Sequence, residues 1–279
     1  MNANNIKYQE RVYNYSDSCV FRKTKELNGG LSNMASGYPI KINGVRILTS
    51  EALYQACRFP HLPEIQSKII QEKSPMSAKM VSKPYRDNSR KDWDNVRLEI
   101  MYWCLRVKLA QNFFTFGRLL ESTFDKSIVE DSRKDRFWGA VKDKDNDTLI
   151  GVNALGRYLM KLRQEYNSEC RYDLLYVEPL KIPDFMLYNE PIQIVDERLN
   201  FTNSLLKRWN LHHIEEYVAE VNRSNSLSII EVVPEIQESI VKPKENAKRK
   251  SSVKSKTVRI KPTKKLSDED KLSLFNVAE

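Results

Sequence analysis

The stretch SEALYQACRF, residues 50–59, places Glu51, Gln55 and Arg58 at spacings of four and three. On a helix those spacings put a carboxylate, an amide and a guanidinium on one face. Such a stripe is either a solvated surface or the edge of a site. Glu51 falls in the first helical turn, where the helix dipole favours the ionised form. An ionised carboxylate suits a base or a stabiliser of positive charge; a general acid needs a raised pKa. A second candidate acid is Asp135 in DRFWGA, residues 135–140, beside Trp138 and Gly139.

The segment opened by DWDN at 92–95 supplies cations. On a wheel of 100° per residue, Trp93, Arg97, Met101, Cys104, Lys108 and Gln111 fall within about 40° of one line. Asn95, Glu99, Tyr102 and Arg106 lie opposite, and Val96, Ile100, Leu105 and Val107 form apolar flanks. Arg97 and Lys108 are therefore expected to point inward. A buried cation costs several kcal/mol unless paired, at roughly that order, so both are expected to meet anions. Protein carboxylates and a ligand's phosphates both satisfy that need.

The elements that must carry these residues follow from local signals. Asn43-Gly44 between YPIKI and VRIL marks a hairpin. Ser74-Pro75 before MSAKMVSK marks a capped helix start, and further helices are expected over about 93–112, 115–123 and 153–165. Asn153 is the expected N-cap of the last. Its free N–H groups offer an anion site, or the start is an ordinary cap with a close crossing at Gly156. After residue 165 the pattern weakens. RYDLLYVEPLKIP (171–183) and SLSIIEVVPE (226–235) read as strands. LNFTNSLLKRWNLHHIEEYVAEVNRS (199–224) reads as a helix with a stripe at Leu205, Leu206, Trp209 and Ile214.

The chain has 279 residues, enough for one large or two small domains. No run of 18 apolar residues is present and the first residues have no basic-then-apolar leader pattern, so no membrane association is expected. The four cysteines, Cys19, Cys57, Cys104 and Cys170, contain no CxxC pair, and the three histidines show no ligand spacing. A reducing cytoplasm, no disulfide framework, no metal and no cofactor are expected. The net charge of +9 resides in residues 242–265, which carry eleven Lys or Arg and one Glu. That block lacks the apolar surface to fold alone and reads as a disordered basic tail over 242–279. The alternatives are a strand-tracking tail for nucleic acid and a nuclear address in a eukaryotic host.

Taken together, LSN (31–33), SEALYQACRF (50–59), SPMSAK (74–79), DWDNVRLEIM (92–101), KLAQN (108–112), LLEST (119–123), DRFWG (135–139) and GVNALGRYLMKLR (151–163) resemble the NADAR domain family of YbiA-like N-glycosidases. The resemblance runs from Leu27 to Arg163. It implies a mainly α fold with a small β-hairpin over 20–165; the accessory α/β extension expected over 166–241 and the tail lie outside the resemblance and are read from their own patterns. It also implies cleavage of the bond between a ribose C1′ and a nitrogen. The expected substrate is a phosphoribosylamino-pyrimidine intermediate of early riboflavin synthesis. The alternatives are ADP-ribose removal from guanine bases of nucleic acid, and a non-catalytic ADP-ribose-binding module. Arg58 stands where many members have lysine, which exchanges a point charge for a planar fork. The loop between Trp138 and Gly151 is longer and more charged than the family's compact version.

Breaking a C1′–N bond develops positive charge on the ribose. The site then needs a carboxylate near C1′, a donor for the departing nitrogen and a held water. Glu51 and Asp135 are the candidate carboxylates, with Lys108 or Lys79 as candidates for covalent capture of an opened sugar. Asn33, Gln55, Arg58, Lys79, Trp93, Arg97, Trp138, Gly139 and Asn153 are the candidate substrate contacts. Trp138 and Trp93 offer faces for a base, while Arg97, Lys108 and the helix start at Asn153 offer phosphate contacts.

Overall fold

The structure, a computed structural model, describes residues 9–208, all within one contiguous unit. Seven α-helices and eleven short strands alternate among these residues. The architecture is mixed α/β, which corrects the mainly helical expectation. The strands have only two to four residues each, too few to show an alternating pattern.

Three strands form an antiparallel sheet in the order β1 (Arg11–Asn14), β7 (Thr148–Gly151), β6 (Val141–Lys142). Beside it, β2 (Cys19–Phe21) pairs in parallel with β5 (Ile128–Glu130), with Phe21 opposite Glu130. A bridge from Asp131 to Ala140 ties the end of β5 to the residue before β6. The expected hairpin is present as β3 (Ile40–Ile42) and β4 (Val45–Ile47). Its turn residues Asn43 and Gly44 both have positive φ, 48° and 80°, the geometry of the hairpin turn that favours Asn-Gly.

Helix α1 (Ser50–Ala56) starts at Thr49, whose hydroxyl accepts from the Ala52 amide at 3.2 Å. Arg58 lies just past its end. Helices α2 (Pro63–Ile70) and α3 (Pro75–Ser82) each carry proline in the first turn, and Ser74 caps α3 as expected. Helix α4 (Trp93–Gln111) packs against α1 and is buried on most of its circumference, from Val96 and Ile100 to Leu105, Val107 and Leu109. It is the central rod of the core. Helices α5 (Phe113–Glu121) and α6 (Ala154–Tyr166) cross where the Tyr166 ring occupies the space a Cβ on Gly117 would need.

The segment expected as an accessory strand over 171–183 is instead a 3-10 turn, Arg171–Leu175, followed by the two-residue strand β8 (Tyr176–Val177). With β9 (Met186–Leu187), β11 (Val195–Asp196) and α7 (Arg198–Arg208) it shares the main apolar cluster, while β10 (Glu190–Pro191), paired with β9, is exposed. Leu175, Val177, Leu187, Val195 and Phe201 lie in the same cluster as Leu53, Phe59, Ile100 and Phe116. Each fully buried aliphatic or aromatic side chain contributes about 1.5–3 kcal/mol, so residues 171–205 stabilise the domain they cover. Arg90 fastens them further: its buried guanidinium pairs with Asp92 at 2.6 Å and donates to the Pro183 carbonyl at 2.5 Å. Leu205 of the expected helical stripe is buried. Trp209, Ile214, the expected strand at 226–235 and the basic tail lie outside the described residues, as does the start of the chain. Among the described residues no helix is long and apolar enough to cross a membrane.

Candidate functional site

The shortness of α1 brings its first turn against the loop that precedes it. The Glu51 amide donates to the Asn33 carbonyl at 2.9 Å, and the Ser50 hydroxyl donates to the same oxygen at 3.0 Å. This fixes the loop 31–33 onto the start of α1. The Glu51 side chain is only 3% exposed. Its two carboxylate oxygens each accept one amide bond, from Asn33 Nδ2 at 2.5 Å and from Gln55 Nε2 at 2.9 Å. The Gln55 carbonyl oxygen in turn accepts from the Ser82 hydroxyl at 2.9 Å. A buried carboxylate without a cation is costly unless hydrogen-bonded; here two amides hold it and orient it.

The other side of α1 faces an aromatic and cationic wall. Tyr54 packs on Trp93, with centroids 5.0 Å apart, and on Trp138 at 5.8 Å. The Arg58 guanidinium lies 4.4 Å above the Trp93 ring, and the Arg97 guanidinium 4.4 Å above Phe137 and 5.8 Å from Trp138. Burial pushes the Tyr54 hydroxyl's pKa well up, reinforced by the charge of Glu51 and opposed by Arg97 and Arg58. Burial also lowers the pKa of Arg58; nearby Arg86 and Arg97 add to the depression while Tyr54 and Asp94 oppose it. Among the described residues the carboxylate partner of Arg97 is the exposed Asp94, 3.6 Å from its Nε. The Nε–H groups of Arg58 and Arg97 are both buried and lack a hydrogen-bond acceptor among the described residues. Buried donors left unmade cost about 1–3 kcal/mol each, a cost that an anion accepting from them would relieve.

Several expected contacts are placed differently. Lys108 points inward as expected, but among the described residues it meets no carboxylate. Its ammonium donates to the carbonyls of Gly30 at 2.7 Å and Ser32 at 3.0 Å and sits 4.0 Å from the Phe116 ring centroid. It is fully buried, and burial drives its pKa well below the ordinary lysine value. It braces the loop that carries Asn33. Asp135 pairs with neither Arg97 nor Lys108; its Oδ1 accepts from the amides of Phe137 and Trp138, both at 2.9 Å, and shapes the turn that presents Trp138. Trp93 is 6% exposed beneath Arg58, whereas Trp138 is half-buried.

Asn153 makes no cap to its own helix. It is fully buried with φ 52°, donates from Nδ2 to the Ile128 carbonyl at 2.8 Å and accepts on Oδ1 from the Glu130 amide at 3.2 Å. The amides of Asn153, Ala154 and Leu155 are taken by the carbonyls of Gly139, Phe137 and Trp138. That helix start is therefore no anion site. The close crossing at Gly156 is real, but its partner is a strand: the Ile128 carbonyl fills the space of a Cβ.

What these bonds position is Glu130, at the end of β5, a residue absent from the sequence-based candidates. Its backbone is held by Asn153 and by the Ala140 amide, which donates to its carbonyl at 2.8 Å. Gly139 packs against it so closely that a Cβ there would meet the Glu130 carbonyl. Its carboxyl makes no hydrogen bond or ion pair among the described residues. Burial pushes its pKa up to about 7, opposed by Lys79 on α3 and raised further by Glu51, Asp135 and Asp131. Two carboxylates, Lys79 and the Trp138 turn thus converge on one region. The signal available in the sequence was an acid closing an apolar triplet, IVE, directly before a turn. Among the described residues no cluster of His, Cys, Asp and Glu could hold a metal ion.

Fold and site define a mixed α/β domain that gathers two differently held carboxyls beside an arginine and tryptophan wall. The sequence profile of the NADAR domain matches residues 20–167, just over half of the chain, and the chain belongs to that family. It is 33% identical over 166 residues to a riboflavin biosynthesis protein of Vibrio vulnificus, covering 58% of this chain and 42% of that protein. It is 32% identical over 149 residues to the N-glycosidase YbiA of Escherichia coli strain K12, covering 53% of this chain and 88% of YbiA. The chloroplastic riboflavin biosynthesis protein PYRR of Zea mays is 32% identical over 159 residues, 52% of this chain and 24% of that protein. The chain thus spans less than half the length of either riboflavin biosynthesis protein. An NMR structure of the E. coli protein YbiA aligns with TM-score 0.45 and 30% identity, over 53% of this chain and 85% of that one.

Proposed function

We propose that this protein is an N-glycosidase that hydrolyses the bond between a ribose C1′ and a nitrogen, with a phosphoribosylamino-pyrimidine as its substrate. Membership of the NADAR family and the names of its relatives, one an N-glycosidase and two riboflavin biosynthesis proteins, support this reading. The observation that carries it is the juxtaposition of buried, amide-held Glu51 with the wall of Arg58, Arg97 and Trp138. As the bond breaks, positive charge spreads over C1′ and the ring oxygen, and a fixed carboxylate stabilises it more strongly than water does. Glu51 holds its orientation through Asn33 and Gln55, and it receives the proton of the water that attacks C1′. The base stacks on half-buried Trp138. The 5′-phosphate accepts from the Nε–H groups of Arg58 and Arg97, neither of which makes a hydrogen bond among the described residues, with exposed Arg86 as a further cation.

The test is product analysis. Incubation with a ribosylaminopyrimidine phosphate is expected to release free base and ribose 5-phosphate, with Glu51→Gln inactive. Turnover by Glu51→Gln at the wild-type rate would remove Glu51 from the reaction. Release of ADP-ribose from modified guanine DNA, with no turnover of the pyrimidine substrate, would replace the substrate class and leave the bond chemistry.

A further inference from the structure

We infer that Glu130, held at the end of β5, is the group that gives a proton to the departing nitrogen, leaving Glu51 as the charged partner. The inference rests on the N-glycosidase reading above and adds to it the acid that an aminopyrimidine leaving group requires. Its geometry is distinctive. The backbone of Glu130 is fixed from two sides, by Asn153 and by the Ala140 amide. Its carboxyl is left without a hydrogen-bond partner among the described residues, while Glu51 has two donors. The same turn that seats Trp138 is packed against Glu130 through Gly139, which sets the acid and the stacking face side by side in the chain's packing.

The groups that face the Glu130 carboxyl come from every neighbouring element. Lys79 on α3 lowers its proton affinity; Glu51 on α1, Asp135 in the turn and Asp131, just past the end of β5, raise it. Burial adds the largest effect and brings it to about 7, close to where a general acid is most efficient. The Glu51 carboxylate oxygens have two amide donors, whereas the Glu130 carboxyl has none among the described residues and burial favours its neutral form. Two acids with opposed environments divide the roles of acid and base.

The step balances as follows. The C1′–N bond breaks with its electron pair going to nitrogen, and the Glu130 carboxyl O–H gives its proton to that nitrogen. A water oxygen bonds to C1′, and the water's proton passes to the Glu51 carboxylate. Glu51 then loses that proton and Glu130 regains one by exchange with solvent, which completes the cycle.

The experiment uses the full chain, with Glu130→Gln and Lys79→Met. Two substrates are compared, the ribosylaminopyrimidine phosphate and a riboside phosphate whose nitrophenolate leaving group needs no proton. Wild type is expected to lose kcat on the first substrate as pH rises through about 7. Glu130→Gln should lose roughly 100- to 10,000-fold in kcat there, lose that alkaline limb, and keep most of its rate on the nitrophenyl substrate. Lys79→Met should move the limb to higher pH. Equal losses on both substrates, or an unchanged pH profile, would overturn the inference while leaving the N-glycosidase reading intact. Wild type inactive on both substrates would sink that reading instead. The Glu130 carboxyl is then followed directly, by 13C NMR of glutamate-labelled protein assigned with Glu130→Gln. Titration in the ordinary carboxylate range would overturn the inference whatever the substrate.

Discussion

Glu130→Gln should make the folded protein more stable at alkaline pH and leave it unchanged at acid pH. In the native state the Glu130 carboxyl holds its proton up to about 7, against an ordinary value of 4.5. Between those values the native state binds more protons than the unfolded chain, so stability falls as pH rises. Below 4.5 both states are protonated and the residue contributes no pH dependence. Above 7 the native carboxylate is ionised in a site that disfavours its charge, and the cost is complete. At roughly 1.4 kcal/mol per tenfold in proton affinity, the gap corresponds to an upper value of about 3 kcal/mol. Glutamine has nearly the same shape and no charge to desolvate. Urea denaturation of wild type and Glu130→Gln at pH 4 and pH 8.5 should give coincident midpoints at the lower pH. At the higher pH the variant should gain about 1–3 kcal/mol. A variant equal to wild type at pH 4 but less stable at pH 8.5 would refute the reasoning, because the Glu130 carboxylate would then be a favourable ion in the fold.

The remaining predictions concern the groups around it. Glu51→Gln turns an amide nitrogen toward the donors of Asn33 or Gln55, so thermal unfolding should show a loss of about 1–3 kcal/mol together with the loss of turnover. Arg97→Ala should raise KM for the phosphorylated riboside at least tenfold and leave KM for the unphosphorylated riboside unchanged; equal effects on both would remove the phosphate contact. Asn153→Ala should be less stable than Asn153→Gly by about 1–2 kcal/mol, since both lose the clamp on β5 but only alanine is strained at φ 52°. Reduction with cyanoborohydride during turnover should leave Lys108 unmodified by mass spectrometry, because its ammonium is fully buried among carbonyls and rings; an adduct there would contradict that placement.

Much of the helical part of the fold was legible because its signals are local. Asn43-Gly44, Ser74-Pro75 and the period of residues 93–111 each fix an element within one segment. The wheel also gave the inward direction of Lys108. It did not give the partners, because the nearest oxygens are the carbonyls of Gly30 and Ser32, brought in by a loop almost 80 residues away in sequence. The sheet was not legible for a related reason. Phe21 and Glu130 pair across more than 100 residues, and neither three-residue strand carries a pattern of its own. Asn153 shows how a correct local signal misleads: an asparagine before a helix usually caps it, but here the left-handed backbone turns the side chain to β5. Glu130 was invisible because its character is set by burial and by the charges of Lys79, Glu51 and Asp135, brought from other segments, together with adjacent Asp131. Glu51 and Gln55 could be read together because they share a helix face, whereas Asn33, in the separate LSN segment, entered only through the family resemblance; the structure brings the three side chains into contact.

The most direct measurement is hydrolysis of a ribosylaminopyrimidine 5-phosphate in water enriched in oxygen-18, with both products followed by mass spectrometry. The expected result is one free aminopyrimidine without label for each ribose 5-phosphate carrying a single heavy oxygen at C1, and none of either from Glu51→Gln. Intact substrate after exhaustive incubation with wild type, or heavy oxygen appearing in the pyrimidine, would contradict hydrolysis at the C1′–N bond by the cleft that Glu51 anchors.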